Sequence, residues 1–206
     1  MPGPSGVAPA ALGPGGSGPE VSALQAHLVS LGYWLGPTDG SFGLLTEQAV
    51  LAVQKAAGLA PDGVVGPATE RAIEAGTRPV PRSAVGSHIE VDLTRQLVLV
   101  VSDGHLEAAL NTSTGNGQPY VMNGARYAAD TPTGTFTVFR RVDGWDTSPL
   151  GLLWRPAYFV AGVALHGYED VPARPASHGC VRVSIPAMDW LWSSGHSGIG
   201  TPVLVY

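Results

Sequence analysis

Charge is scarce in this chain of 206 residues: only 13% are Asp, Glu, Lys or Arg, the net charge is −5, and Lys and Arg nowhere cluster. The electrostatic footprint of a nucleic-acid binder is missing, so no DNA or RNA partner is expected. Cysteine is scarcer still. A single residue, Cys180, excludes an intramolecular disulfide framework, so the fold must rest on its core and the one thiol needs its own explanation. No run of about 18 apolar residues occurs, so no membrane span is expected. The opening MPGPSGVAPAALGPGGSGPE has neither the basic start nor the apolar stretch of a signal peptide.

Apolar side chains, by contrast, make up 44% of the chain, alongside 28 glycines and 18 prolines. That is ample material for packed cores with Gly and Pro at the turns, and the length suits a small and a medium domain. Residues 1–19, rich in Gly, Pro and Ala without periodicity, are expected to form a flexible tether. From Glu20 the pattern changes. Val21, Leu24, Leu28 and Leu31 recur at steps of three and four, predicting a helix that Gly32 ends. A second helix is predicted after Thr46 as N-cap, through Ala49, Val50 and Val53 to Gly58. A third runs from Pro67 to Gly76.

An internal repeat links these helices. Asp39-Gly40-Ser41-Phe42-Gly43-Leu44-Leu45-Thr46 returns as Asp62-Gly63-Val64-Val65-Gly66-Pro67-Ala68-Thr69, each a turn leading into a helix start. With LQAHLVSLGY ahead of the first copy, residues 20–76 resemble the peptidoglycan-binding domain type 1 of bacterial wall hydrolases. Val53 departs from that family, which often carries an aromatic residue there. The resemblance implies peptidoglycan as a partner.

Residues 77–87, TRPVPRSAVGS, contain two prolines and no pattern, predicting an interdomain linker between separate cores. From His88 the period becomes two: Ile89, Val91 and Leu93 alternate with polar residues, and Leu97–Val101 form a continuous β-rich run. Ser102-Asp103-Gly104-His105 predicts a hairpin turn into Leu106–Thr112. Further strands are predicted at 134–141, 158–165, 181–183 and 202–206, with one helix at 185–193. The fold class is therefore α+β multidomain: a small three-helix bundle followed by a mostly β domain.

The chemistry concentrates in Leu165-His166-Gly167 and, twelve residues later, Ser177-His178-Gly179-Cys180-Val181-Arg182-Val183. A cysteine reacts as its thiolate, which needs a nearby imidazole or other cationic partner. His166 and His178 both bracket Cys180, and spacing alone leaves the choice between them open. Together with Thr131-Pro132-Thr133-Gly134-Thr135-Phe136, these strings resemble the YkuD-type L,D-transpeptidase domain over residues 88–206. The resemblance implies a β-sandwich-like domain with the cysteine in a cleft under a mobile loop, for which Asp143–Ala157 is the candidate. It further implies acyl transfer at diaminopimelate in a tetrapeptide stem, D-Ala leaving and an amine resolving the thioester to a 3-3 cross-link, with carbapenems acylating the same thiol.

On that resemblance Cys180 is the nucleophile and His166 the base, and His178 lines the site. A third group is expected to orient the His166 ring, and with Gly167 following it a backbone carbonyl is expected rather than a side chain. Backbone N–H groups of Gly179 and Cys180 are candidates for an oxyanion hole. Ser177 and Arg182 brace the loop or meet a substrate carboxylate. Thr133-Gly134 is expected to be strand framework, and His27, His105 and His196 are expected to face solvent. No cofactor or metal is implied. A zinc peptidase built on His166, His178, Cys180 and Asp170 is the rival metal reading, disfavoured by the lack of an HExxH pair. Two other readings stand beside the transpeptidase: an L,D-carboxypeptidase using water, and a catalytically idle wall-anchoring protein. A monomer working outside the cell, in the wall or periplasm, is expected.

Overall fold

The computed structural model describes residues 12–206. The expected tether at 1–11 lies outside the described residues, but its remainder is ordered against the bundle: Val65 N donates to Leu12 O at 2.8 Å, and Ser17 bridges Ser41. Three helices follow: α1 (Pro19–Ser30), α2 (Leu44–Ala56) and α3 (Pro67–Glu74). Gly32, Gly58 and Gly76 sit just past their ends with φ of 88°, 67° and 70°, the left-handed turn that stops a helix. Thr46 is not the N-cap of α2. Gly43 takes that place, and Thr46 lies within the first turn, accepting a hydrogen bond from Gln25 Nε2 at 2.9 Å.

That bond belongs to a device used twice. Gln25 Nε2 donates to Asp39 Oδ1, Ser41 O and Thr46 Oγ1, while its Oε1 accepts from Gly40 N. Gln54 repeats every contact with Asp62, Val64, Thr69 and Gly63. Each buried glutamine therefore satisfies one turn of the internal repeat from within the core.

The second part contains two five-stranded layers. The first sheet runs β3 (His105–Asn111), β2 (Leu97–Ser102), β1 (His88–Asp92), β12 (Pro202–Val205) and β6 (Gly134–Thr137), with β12 parallel to β1. The second runs β11 (Val181–Ser184), β10 (Val163–Tyr168), β9 (Gly151–Val160) and β7 (Arg140–Arg141), with β8 (Trp145–Ser148) also paired to β9. Ile89, Val91, Val98 and Val100 meet Phe159, Leu165 and Val183 between the sheets, and α4 (Ile185–Ser193) closes that core with Met188 and Leu191. The helix predicted at 185–193 and the strands at Leu97–Val101, 181–183 and 202–206 form as expected. The strand expected at 158–165 is instead a hairpin, because Ala161 (φ 43°) and Gly162 turn the chain between β9 and β10. Among the described residues no helix is long and apolar enough to cross a membrane.

The expectation of separate cores is overturned. Leu97, Leu99 and Ala109, on the outer face of the first sheet, share one cluster with Val21, Leu28, Tyr33 and Val53 of the bundle. The sheet edge is stitched to the bundle as well, since Ala109 N donates to Gly32 O and Trp34 N to Ala109 O. β2 is thus covered on both faces, which is why its sequence is an unbroken apolar run. The linker is pinned too. Arg82 N, Ser83 N, His88 Nε2 and the Tyr206 hydroxyl all reach the fully buried Glu90 carboxylate. Burial alone would raise this carboxyl, but those four partners together hold it below its ordinary value.

Two outcomes follow from this packing. Gln54→Leu leaves the Gly63 N–H and the Thr69 and Asp62 side chains without their shared partner, and should cost about 2–3 kcal/mol in a urea melt; a loss below about 0.5 kcal/mol would refute the device. A fragment starting at Ser87 exposes Leu97, Leu99 and Ala109 and should aggregate or melt well below the full chain, whereas a soluble fragment with unchanged Tm would disprove the shared core.

Candidate active site

A cleft of about 550 Å³ opens at the end of the second sheet, and Cys180, His166, His178, Ser177 and Arg182 all line it. β10 and β11 run parallel with His166 opposite Arg182, so the loop that ends at Cys180 enters β11 beside the strand carrying His166. Cys180 is half-buried against Leu153, Tyr158 and Ala164, and its thiol donates to Gly162 O at 3.8 Å. His166 is buried and its Nδ1 meets Gly167 O at 2.9 Å. A carbonyl can only accept, so Nδ1 carries the proton and Nε2 is left with its lone pair. His178 is exposed and packs edge-on against the Tyr120 ring, centroids 4.9 Å apart.

The electrostatics favour a neutral pair at rest. Burial, reinforced by the Arg182 charge, pushes His166 down to about 4 despite the bond to Gly167. Burial also pushes the Cys180 thiol up, against the Ala164 backbone N–H and Arg182, which favour the thiolate. Both shifts favour the uncharged forms, a neutral imidazole able to accept a proton and a protonated thiol.

Each turn of the cysteine loop is held by a named bond. Ser177 Oγ donates to Cys180 O at 2.6 Å and accepts from Gly179 N at 3.0 Å. The Gly179 N–H is thereby committed inside the loop, which corrects its expected place in an oxyanion hole and leaves the Cys180 N–H as the candidate. Gly179 itself is required: its φ is 135°, and a Cβ there would lie 2.9 Å from Asp130 O. Gly167 is equally confined, since a Cβ would meet Trp154 Cδ1 at 2.8 Å. Arg182 stacks over Tyr168, 4.0 Å from the ring centroid, and reaches Ala176 O at 3.4 Å, so it braces the loop's far side.

Three features escaped sequence reasoning. Thr131, quoted above only as part of a motif, donates from Oγ1 to Gly179 O at 2.7 Å and accepts from Gly115 N, tying three segments at the cleft floor. A hairpin of β4 (Pro119–Met122) and β5 (Ala125–Ala128) lines one side with Tyr120, Met122 and Tyr127. Its signal was Asn123-Gly124, which turn at φ 51° and 78°. The segment 143–157 is not a loop but the β8–β9 hairpin, whose residues 146–153 line the opposite side. There Tyr158 donates to Asp146, which also pairs with Arg140. Trp154 packs inward and donates to Asp189, while Trp145 is exposed. Gly134 opens β6, as framework. His27 and His105 are exposed, but His196 is half-buried and bonds Glu107. Asp170 is exposed, and among the described residues no three His, Cys, Asp or Glu side chains converge as a metal ligand set.

Two β-sheets with SHGCVR at the mouth of their cleft define an L,D-transpeptidase type of domain. Residues 86–205 match the L,D-transpeptidase catalytic domain family, YkuD, and residues 17–73 match a peptidoglycan binding domain family. The chain belongs to the YkuD family of L,D-transpeptidases. A solved L,D-transpeptidase from Xylanimonas cellulosilytica is similar with a TM-score of 0.93 and 51% identity, over 97% of this chain and 98% of that one. Another from Stackebrandtia nassauensis gives 0.55 and 26% identity, over 95% and 94%. Among curated proteins, N-acetylmuramoyl-L-alanine amidase CwlL of Bacillus licheniformis is 51% identical over 63 residues, 30% of this chain and 18% of that protein. The chain thus spans under a fifth of that curated relative.

The neutral pair makes a measurable statement. With His166 low and Cys180 high, the rate of Cys180 alkylation by iodoacetamide should climb steadily between pH ~6 and ~9 as thiolate forms. Intact-protein mass follows the reaction, since the chain has no other thiol. A rate plateau from pH ~5 to ~8 would instead signal a resting ion pair.

Proposed function

We propose that this chain is a peptidoglycan L,D-transpeptidase in which Cys180 attacks the diaminopimelate carbonyl of a tetrapeptide stem. The observation that carries this reading is the single thiol in the same cleft as a neutral imidazole whose Nδ1 is fixed by the Gly167 carbonyl. As sulfur bonds to the carbonyl carbon, His166 Nε2 takes the thiol proton and the Cys180 N–H faces the developing oxyanion. The tetrahedral intermediate collapses, the bond to the terminal D-Ala breaks, and His166 returns the proton to the leaving nitrogen. An amine of a neighbouring stem then gives its proton to His166 and attacks the thioester. The thiol is regenerated and a 3-3 cross-link is left.

Hydrolysis of the same thioester by water in place of the amine would give an L,D-carboxypeptidase. His178, exposed against Tyr120, serves the reading as a wall of the cleft rather than as the base. Residues 20–76 are proposed to bind the polymer, 77–87 to join them to the catalytic part, and 88–206 to carry the chemistry. The site of action is then the bacterial wall or periplasm, with peptidoglycan as both ligand and substrate, no nucleic acid partner, and a monomer as the working unit.

Mass spectrometry of the full chain with a soluble disaccharide tetrapeptide tests this directly. A cross-linked dimer and free D-Ala are expected, and Cys180→Ala should lower the rate by at least about 10³-fold without changing the fold. A tripeptide product alone would assign the carboxypeptidase. Activity surviving in Cys180→Ala would end the thiol mechanism, and no product from the wild-type chain would favour the idle wall-anchoring reading.

A further inference from the structure

The last turn of α2 carries a buried charge that the chemistry above does not use. Lys55 is 7% exposed, and its ammonium leaves the bundle to enter the sheet domain. It donates to Gln96 O at 3.0 Å, to Thr112 O at 3.1 Å and to Asn111 Oδ1. It takes part in none of the ion pairs found among the described residues. An unpaired buried ammonium is costly, and three carbonyl oxygens match its three protons. Burial pushes its pKa down to about 7.

What Lys55 holds is the strand end 111–114, and from that strand end the cysteine loop is hung. Thr112 Oγ1 donates to Arg182 O at 2.6 Å, and Ser113 exchanges backbone bonds with Arg182 at 3.3 and 3.1 Å. Thr114 O accepts from both Ala176 N and Ser177 N, while the Gln96 side chain clasps Thr114 through its N–H and its hydroxyl. Ser177 in turn bonds Cys180 O. A second arm runs in parallel: Gln48 of α2 and Asn111 both donate to Val171 O, and Asn111 donates to Gln48 Oε1. The segment 171–182 thus has two anchors on one helix of the other domain.

We propose that Lys55 and Gln48, residues of the peptidoglycan-binding part, are positioning residues for the transpeptidase site, fixing through Asn111–Thr114 the loop that carries Ser177 and Cys180. The proposal rests on the reading of Cys180 as nucleophile. It makes the first domain a part of the catalytic frame in addition to any hold on the polymer.

Full-length Lys55→Met tests it, because Met fills the volume and removes both the charge and the three donated bonds. On soluble tetrapeptide its kcat should fall about ten-fold with KM within about two-fold, as expected for a displaced reacting group rather than lost binding. Thr112→Val removes only the hydroxyl bond to Arg182 O and should lower kcat in the same direction. The double variant should lose less than the product of the two separate losses. Wild-type kcat in a folded Lys55→Met overturns the proposal. If that variant does not fold, Thr112→Val decides, and wild-type kcat there overturns it equally. Should the wild-type chain itself form no product, the functional reading fails separately. The rate of Cys180 alkylation then decides the positioning: a shift of about three-fold or more in Lys55→Met supports it, and an unchanged rate refutes it.

Discussion

The structure depends on one sheet being buried on both faces. β2 takes the inner core from Val98 and Val100 and the bundle's core from Leu97 and Leu99, so neither part of the chain completes its interior alone. Burying a Leu or Val side chain is worth about 1.5–3 kcal/mol, and the shared face contributes several such side chains at once. Everything at the cleft inherits that rigidity. The strand end beyond β3 lies under the cysteine loop, and its backbone polar groups are satisfied from the bundle side by Lys55 and from the loop side by Arg182 and Ser177. A mobile linker between two beads would have left those carbonyls facing water.

The cleft itself shows a division of labour between fixed and adjustable parts. Its floor is made of short-range constraints: Thr131 on Gly179, Ser177 on Cys180, and glycines at 167 and 179 where a methyl group would collide with Trp154 or Asp130. Its walls are two hairpins, β4–β5 and β8–β9, which present Tyr120, Tyr127 and Leu152 with far fewer buried contacts. Chemistry that is sensitive to sub-ångström placement is held by backbone hydrogen bonds, and the surfaces that meet a bulky substrate are left to side chains able to move.

Much of this was legible in the sequence, for identifiable reasons. Glycines at 32, 58 and 76 announced the helix ends because a positive φ is otherwise expensive, and SHGCVR announced the site because few other contexts require that string. Other features were hidden by the local character of such reasoning. Gln25 and Gln54 look like surface residues in helical text and reveal their role only when the turn they serve folds back on them. Ala161-Gly162 was lost inside an apolar run, since two adjacent strands of a hairpin and one long strand share the same composition. Lys55 is a single letter in an amphipathic stripe, and nothing in its neighbours marks that it points at another domain. The unbroken Leu97–Val101 run did carry the information, because an antiparallel strand with a wet face alternates and this one does not.

The order of strands in the first sheet also bears on how the protein comes into being. β12, at residues 202–205, is not an edge but lies between β1 and β6, and Val203–Val205 pair on one side with Ile89–Val91, more than a hundred positions earlier in the chain. Until it arrives, the β1–β3 meander has a bare edge and β6 has no partner, so the sandwich that shelters the cleft cannot close. Placing β12 also brings the Tyr206 hydroxyl onto the Glu90 carboxylate, so the long-range pairing of the sheet and the satisfaction of its buried charge are completed by the same segment.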